Sequence, residues 1–353
     1  MSFSFLNPRA KKRDHIVAID LGYRSTKGVL LEYREDHYCL TRYTVLDTPT
    51  PGKPLENEAL SAHIKAVYTA LEPKTKQVIL SIGPSDSILR NTEFPLMPVE
   101  EMRQMLKLNT KNYLQQDLPD HVFDCFIVPP AGLVATKEHP KSIPPTKYKV
   151  WVGGMKRQTL SRFENAIKMA GLVPDQITLS LLGPSNAFEL APPIKEAIAL
   201  VDLGYKSSNI SIIANGELCL NRVVETGGNN ITNSLAEAMG ISYAEAEGIK
   251  IGMPTEVDAN LQPLLAPLGR DFRASIDFFE HHQDQPVSQV FLSGGASRSD
   301  YFIQSLQTEL MVPCKSWNPV ASLDVALSPQ QTEDLALNGP LLTEAIGAAA
   351  GVF

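Results

Sequence analysis

Short apolar runs open the chain and predict strands before any helix. Residues 15–20, 28–33 and 38–46 form three such runs, joined by polar turns, and predict an antiparallel meander. Over residues 55–71 the apolar positions recur every three or four residues, which predicts a helix lying on that sheet. Residues 77–82 return as a strand.

The pattern changes over residues 90–172, which we interpret as an inserted subdomain. Pro98 suits the first turn of a helix. Five prolines over residues 129–145 predict an exposed loop. The predicted elements of this insert are a helix over 99–114, strands over 122–128 and 148–153, and a helix over 158–170.

The second half of the chain repeats the opening of the first half. The residues Asp-Leu-Gly-Tyr stand at 20–23 and again at 202–205, each time between apolar runs. Asn215-Gly216 predicts a two-residue hairpin turn. The further predicted elements are helices over 231–239, 243–249 and 270–282, a strand over 289–292, and a small-residue helix over 341–351. The pattern therefore predicts an α/β protein with two related halves.

Composition and charge narrow the classes of function. At 353 residues and 43% hydrophobic, the chain is long enough for two folded domains. The net charge of −7 and the scattered Lys and Arg residues argue against nucleic-acid binding. No run approaches the roughly 18 apolar residues of an integral membrane segment, so a cytoplasmic protein is expected. The opening residues 1–13 are predicted to be a disordered tail, with weak contact to an anionic membrane as the alternative.

The repeated turn has chemistry that suits a phosphate. Glycine two positions after an aspartate allows backbone N–H groups to face a phosphate while the carboxylate faces a hydrated cation. Asp20 and Gly22 form the first such pair, and a hairpin would bring Lys27 back toward Asp20. Asp202 and Gly204 form the second pair. Two facing turns predict a phosphate clamp, although one such turn alone is also typical of an ordinary surface hairpin.

A third glycine-rich turn follows a predicted strand near the C-terminus. Gly294 and Gly295 would let the backbone approach a flat ligand closely, and a helix beginning near Ser299 would favour an anion. This turn comes after both aspartate-glycine hairpins and before the alanine- and glycine-rich last helix, so the chain carries an ordered set of candidate nucleotide contacts.

The ordered set resembles the actin-like ATPase superfamily. VAIDLGYRSTKGVLL, ALVDLGYKSSNISII, VFLSGGASRSD and EAIGAAAG look like its phosphate-one, phosphate-two, adenosine and connect-two motifs, in the right order. Within it, the chain resembles the PilM family of type IV pilus assembly, which is related to FtsA. The segments that carry this resemblance are NTEFPLMPVEEMRQMLKLNTKNYL, RFENAIKMAGLVPDQI, NGELCLNRVVETGGNNITNSLAEAMGISYAEAEGIK and FRASIDFFEH.

The resemblance implies an actin-like (ribonuclease H-like) two-lobed fold with a duplicated αβ core and an inserted 1C subdomain of the FtsA and PilM type. The implied subdomains are 1A over 1–89 and 173–195, 1C over 90–172, 2A over 196–225 and 286–340, and 2B over 226–285. Residues 341–353 would form the connect-two helix that returns toward the first lobe.

The resemblance also implies a site for ATP and Mg²⁺. Asp20 and Asp202 would hold magnesium through water. The implied nucleotide contacts are Gly22, Ser25, Thr26 and Lys27 at the first phosphate turn, Gly204, Gly294 and Gly295 where backbone closes on phosphate and adenosine, Glu247 and Lys250 at the ribose, and Arg298 stacked on adenine. For Glu247 and Lys250 a surface ion pair is the alternative, and for Arg298 a solvated side chain.

The chain departs from the superfamily pattern in two places. Tyr23 stands where the superfamily usually has a small hydroxyl residue, three positions after the first aspartate. Its bulk, repeated as Tyr205, would narrow the phosphate pocket or leave the phosphate contact to Ser25 and Thr26. In the connect-one segment, 177–190, only Asn186 and Glu189 are candidates to orient an attacking water. We therefore expect ATP binding with slow or no hydrolysis.

The family resemblance implies a scaffold rather than a catalyst as the first hypothesis. The scaffold would dock the cytoplasmic tail of a PilN-like inner-membrane protein in a groove between 1A and 1C, near residues 85–105, and would meet other proteins of the pilus assembly platform. It would lie at the inner membrane through these partners. The alternatives are a platform that no longer binds nucleotide, a small-molecule kinase, and a filament protein like FtsA.

Overall fold

The structure is a computed structural model that describes residue 1 and residues 13–35, 37–128 and 146–352. Most of the predicted tail and the whole proline-rich loop over 129–145 lie outside the described residues. Within these described ranges, no helix combines the length and apolar character needed to cross a membrane.

The chain forms two halves, each built from strands and helices, and the first half contains a small insert. The strands are β1 (His15–Leu21), β2 (Ser25–Arg34), β3 (His37–Asp47), β4 (Gln77–Ile82), β5 (Ser87–Pro95), β6 (His121–Ile127), β7 (Lys147–Lys156), β8 (Val173–Leu179), β9 (Ala197–Leu203), β10 (Ser208–Ala214), β11 (Glu217–Val224), β12 (Val287–Gly294), β13 (Cys314–Ser316) and β14 (Asp324–Val325). The helices are α1 (Asn57–Ala70), α2 (Val99–Leu108), α3 (Thr110–Leu114), α4 (Arg157–Met169), α5 (Gly183–Phe188), α6 (Gly228–Met239), α7 (Tyr243–Gly252), α8 (Asp258–Gln283), α9 (Asp300–Leu310), α10 (Pro329–Asn338) and α11 (Thr343–Ala350).

Two large sheets share one topology, which confirms the prediction of two related halves. The strand order is β14-β3-β2-β1-β4-β8 in the first sheet and β11-β10-β9-β12-β13 in the second. In each sheet three antiparallel strands continue into parallel ones. The predicted meander is β1 to β3, and the predicted turn at Asn215-Gly216 has both residues at positive φ, 53° and 79°.

The two large sheets bury two apolar cores, and the core of the first half also includes residues of the second sheet such as Leu200 and Phe291. In the first half, Ile64 and Val67 of α1 and Ile167 of α4 pack on the sheet. In the second half, a long apolar stripe on α8 belongs to the core, and the helix packs against β10 and β11. A third, smaller core lies between α2 and the three-stranded sheet β5-β7-β6. The insert thus has a core of its own, as expected for a subdomain.

The predicted limits of the insert, 90–172, differ from the extent of the small sheet at both ends. β5 begins at Ser87, so residue 90 falls inside a strand. At the other end, Phe163 and Ile167 of α4 are buried in the core of the first half, because the apolar stripe of α4 packs beside α1. The sequence pattern did not predict β5 because polar residues fill the middle of this strand.

Residues 324–338, which were predicted to lie in the second lobe, join the first sheet. β14 pairs with β3, and the backbone N–H of Ala326 donates to Leu40 O at 2.9 Å. α10 packs on the same strand, where Gln331 Nε2 donates to Tyr43 O at 2.8 Å. The chain therefore returns to the first half before residue 341.

Two predicted helices have different bounds. The helix over 99–114 breaks at Asn109, which has φ −153° and caps α3 by accepting from the backbone N–H of Asn112 at 3.2 Å. The helix over 270–282 begins earlier, at Asp258, despite Pro263 and Pro267. Burial of a continuous apolar stripe outweighs the backbone hydrogen bonds that the two prolines cannot donate.

Candidate functional site

A cavity of about 670 Å³ lies between the two halves of the chain. This volume is within the roughly 300–1,000 Å³ of small-molecule and cofactor sites. Its wall contains both aspartate-glycine turns, residues 20–25 and 202–209, together with Gly294 and Gly295. The three turns singled out in the sequence therefore meet in one place.

The antiparallel register of β1 and β2 places Lys27 directly opposite Asp20. Side chains of such a pair lie on the same face of the sheet, and Lys27 Nζ is 3.4 Å from Asp20 Oδ2. Gly22 closes the turn between them, where a Cβ atom would overlap the carbonyl oxygen of Ser25. The local fold thus requires glycine at this position and holds a cation beside a buried carboxylate.

The second turn is built in the same way. Gly204 faces the carbonyl oxygen of Ser207, which a Cβ atom would meet at 2.5 Å. Ser293 Oγ donates to Asp202 Oδ1 at 3.0 Å, so β12 holds the carboxylate of β9. Gly294 has φ +83°, a backbone region that favours glycine, and a Cβ atom there would lie 2.5 Å from Leu203 O and 2.8 Å from Asp202 Oδ1. The glycines allow three chain segments to approach one carboxylate.

Glu344, at the start of α11, is a wall residue that the sequence prediction did not assign. Its carboxyl group is buried, and its hydrogen bond to Asp202 joins the two acids. Burial and the nearby carboxylates of Asp202 and Asp20 raise the pKa of Glu344 well above its ordinary value. Burial also raises the pKa of Asp202. Glu344 belongs to the EAIGAAAG segment, but only the structure shows that its carboxyl group is buried in the cavity wall.

Lys27 is the cation that balances this acidic cluster. Burial by itself would lower the pKa of Lys27, but the carboxylates of Asp20, Glu344 and Asp202 outweigh it, so the pKa is raised. One lysine faces three carboxyl groups, which leaves an excess of negative charge when all are ionised. A divalent cation would neutralise that excess.

We expect Glu344→Gln to stabilise the protein at pH 8. A carboxyl group with a raised folded-state pKa binds more protons when folded, so the free energy of unfolding falls as pH rises above about 4.5 toward the raised value. Glutamine keeps the shape and can donate to Asp202, and it removes that cost of ionisation, about 1–3 kcal/mol for an uncompensated buried group. Urea unfolding at pH 5, 6.5 and 8 measures the effect. An unchanged pH slope in the variant would contradict the assignment.

Glu247 and Lys250 of α7 both line the cavity, and they contact each other. Lys250 Nζ is 2.6 Å from Glu247 Oε2, 2.6 Å from Thr232 Oγ1 and 3.2 Å from Gly228 O. Burial lowers the pKa of Lys250 against the opposing effect of Glu247. The pair is buried on the lysine side, unlike an ordinary surface ion pair. Arg298 also lines the cavity, with Nε donating to Gly295 O at 3.3 Å.

Thr26 does not face the cavity, in contrast to the prediction. Successive residues of a strand point to opposite faces, so Ser25 and Lys27 line the cavity and Thr26 points the other way. Its hydroxyl is buried and lies 2.8 Å from His63 Nε2 of α1. Burial lowers the pKa of His63. Thr26 is therefore a packing residue behind the phosphate turn.

The two candidates for orienting a water molecule also lie away from the cavity wall. Asn186 is buried between α5 and α11, where its Nδ2 donates to Gly347 O at 3.2 Å. Glu189 follows α5 and contacts the amino group of Met1 at 3.4 Å. Neither residue lines the cavity, because α5 turns its middle toward α11.

The repeated tyrosines of the two turns, Tyr23 and Tyr205, make contacts between the two halves. The ammonium group of Lys206 lies 3.8 Å from the ring centroid of Tyr23. Tyr205 lies against Gly52, and its hydroxyl is 3.4 Å from that of Tyr243. Both aromatic rings belong to the cavity wall.

The donor set fits a hydrated cation better than a directly bound one. Across the part of the chain that the structure describes, no three His, Cys, Asp or Glu side chains are grouped to hold a metal ion directly. Mg²⁺ usually keeps several water ligands and binds through one or two carboxylates together with phosphate. Asp20 and Asp202 supply oxygen atoms of the right kind for contacts through water.

Comparison with known proteins supports the resemblance found in the motifs. The family model for "Type IV pilus assembly protein PilM" matches residues 18–353. The cell division protein FtsA of Bacillus subtilis (strain 168) is 32% identical over 84 residues, which span 24% of this chain and about a fifth, 19%, of the FtsA sequence.

Solved structures show the same fold over nearly the whole chain. A PilM–PilN type IV pilus biogenesis complex contains a chain that is 22% identical, with a TM-score of 0.80 over 96% of this chain and 98% of that one. EutJ of Carboxydothermus hydrogenoformans is 13% identical, with a TM-score of 0.56 over 97% of this chain and 91% of EutJ. MreB 5 of Spiroplasma citri, solved with bound AMPPNP, is 9% identical, with a TM-score of 0.52 over 95% of each chain. The expected actin-like fold is confirmed.

Proposed function

The chain belongs to the PilM family of type IV pilus assembly proteins, and from that premise we propose that it is a nucleotide-binding scaffold of a pilus assembly platform. The scaffold binds ATP with Mg²⁺ in the cavity between its halves. The scaffold docks the cytoplasmic tail of a PilN-like inner-membrane protein, and this partner holds the scaffold at the cytoplasmic face of the membrane. The other proteins of the platform are its further partners.

One observation carries the nucleotide part of this proposal. Both aspartate-glycine turns and the Gly294-Gly295 turn line a single cavity, in which Lys27 lies 3.4 Å from Asp20. In this assignment Lys27 and the backbone of the turns meet the phosphates, Asp20 and Asp202 hold hydrated magnesium, and Glu247, Lys250 and Arg298 face the nucleoside. Bound magnesium would neutralise the phosphates and fix their orientation.

The scaffold role needs no hydrolysis. Asn186 and Glu189 lie outside the cavity wall, and we therefore propose slow turnover or none. A peptide can bind by adding a strand to the edge of a sheet or by filling a groove. β5 is an edge strand of the three-stranded sheet among the described residues, and Leu96, which directly follows it, is 52% exposed. This side of the junction between the insert and the first sheet is the proposed docking place.

A platform without nucleotide is the second candidate, and Lys250 is the observation that favours it. Its ammonium group has three N–H donors, and they are directed to Glu247, Thr232 and Gly228. A ribose hydroxyl at this place would have to replace one of these partners. Binding measurements decide between the two candidates.

The test measures the two binding activities separately. The purified chain is titrated into a fluorescent ATP analogue with magnesium or with EDTA, and into a labelled peptide of the N-terminal tail of a PilN-like protein. We expect saturable binding of both, with micromolar peptide affinity and a scrambled peptide as control. Peptide binding without nucleotide binding supports the second candidate, whereas failure of the peptide to bind contradicts the docking role.

A further inference from the structure

Asn209, on β10, is a cavity residue with an unsatisfied polar atom. Its side chain is 7% exposed, and its Oδ1 has no hydrogen-bond partner within the described ranges. The other end of the amide is engaged, since Nδ2 donates to Ser211 Oγ at 3.4 Å. An unsatisfied buried acceptor costs about 1–3 kcal/mol. Since Asn209 lines the cavity, a bound ligand can supply the missing donor.

The position of Asn209 repeats that of Lys27 in the other half of the chain. β9 and β10 pair Asp202 with Asn209, as β1 and β2 pair Asp20 with Lys27. Directly opposite residues of an antiparallel pair share one face, with Cβ atoms about 4.5–5.5 Å apart. The duplicated hairpin therefore presents a carboxylate and a cation on one wall of the cavity, and a carboxylate and a neutral amide on the other.

The free atom is an acceptor, and this restricts what it can bind. A phosphate oxygen is itself an acceptor and cannot satisfy Oδ1, whereas a water molecule held by a cation has hydrogens to donate. Asp202, beside Asn209, is an acceptor of the same kind when ionised. A neutral amide adds an oxygen atom without adding further negative charge to the cluster of Asp20, Asp202 and Glu344.

Resting on the nucleotide binding proposed above, we propose that Asn209 Oδ1 accepts a hydrogen bond from a water ligand of the magnesium ion. Asp20, Asp202 and Asn209 then hold the hydrated cation together, with oxygen atoms from both halves of the chain. Asn209 is a positioning residue for the cation, and Lys27 remains the residue that meets the phosphate.

The test compares nucleotide affinity with and without magnesium in three variants. The readout is the ratio of the Kd of a fluorescent ATP analogue in EDTA to its Kd in saturating magnesium. In Asn209→Ala we expect this ratio to fall about 10-fold, as for other residues that contact metal-bound ligands, with the Kd in EDTA within about twofold of wild type. Asn221→Ala is the matched control, because Asn221 Nδ2 also donates to Ser211 Oγ, at 2.9 Å, and does not line the cavity.

Asn209→Asp separates an acceptor from a donor. It keeps the oxygen and adds charge, so we expect weaker binding in EDTA and a magnesium ratio above that of wild type. If the amide instead donated to phosphate, Asn209→Asp would lose affinity in both conditions and Asn209→Ala would lose it in EDTA. Thermal unfolding checks that each variant is folded, and Asn209→Asp carries the test if the alanine variant is not.

The outcomes separate this inference from the function on which it rests. A wild-type magnesium ratio in Asn209→Ala overturns the role of Asn209 alone, and so does nucleotide binding by the wild type that magnesium does not affect. A wild-type chain that binds no nucleotide overturns the proposed nucleotide site, and the role of Asn209 with it.

Discussion

Lys27→Ala is expected to weaken nucleotide binding by roughly 10- to 100-fold, the largest effect of any single substitution in the cavity. A hydrogen bond between charged groups contributes about 1.5–3 kcal/mol, and the variant would leave Asp20, Glu344 and Asp202 facing the triphosphate with no cation from β2. Titration of a fluorescent ATP analogue in saturating magnesium measures the loss. A Kd within about threefold of wild type would contradict the assignment of Lys27 to phosphate.

The same substitution is expected to lower the free energy of unfolding by about 3 kcal/mol, because removing one partner of a buried ion pair leaves the other unpaired. Lys147→Ala is the matched control: this strand lysine also contacts a carboxylate, with Nζ 3.2 Å from Glu93 Oε2, but both side chains are more than half exposed. Exposed pairs contribute about 0–1 kcal/mol, so the control should unfold close to wild type and bind nucleotide as wild type does.

Periodicity and the repeated turn predicted most of what positions the cavity. The two meanders and the Asn215-Gly216 hairpin followed from local patterns, since neighbouring strands and tight turns depend on nearby residues. The meeting of the three glycine turns followed instead from the repeat and from the family resemblance. The register that brings Lys27 opposite Asp20 was also predictable from the short turn between them.

The errors and omissions concern residues whose role depends on distant parts of the chain. Thr26 was assigned to the nucleotide although Ser25 and Lys27 on either side already occupied the cavity face. Glu344 becomes part of the site only when α11 returns to the first half. Asn209 lies in the phosphate-two segment, but the sequence analysis assigned it no contact, and only the comparison of its strand pair with the first hairpin reveals it.

Gly347→Ala is expected to destabilise the protein by at least about 3 kcal/mol. Gly347 of α11 crosses α5 at Gly183, and a Cβ atom there would overlap the backbone of Gly183, which cannot move aside as a flexible side chain could. Overpacking of a tight interior typically costs about 1–3 kcal/mol, and occasionally more, and here the obstacle is the main chain. Thermal and urea unfolding measure the change.

Gly248→Ala provides the control for helix propensity. Gly248 lies in α7, where a Cβ atom would meet nothing within 4 Å, so alanine should stabilise the helix by up to about 1 kcal/mol. If both variants were stabilised, the close crossing of α5 and α11 would not exist in solution.

The contacts of Tyr23 with Lys206 and of Tyr205 with Gly52 join the halves at the cavity itself. Any widening of the cleft has to break them. A cation–π contact at an exposed site contributes only about 0.5–1 kcal/mol. Leu200 and Phe291 of the second sheet are buried in the same apolar core as the first half, so the aromatic contacts are a small part of what joins the halves. Substitutions at the two rings are therefore expected to change the rim of the cavity with little change in the stability of the fold.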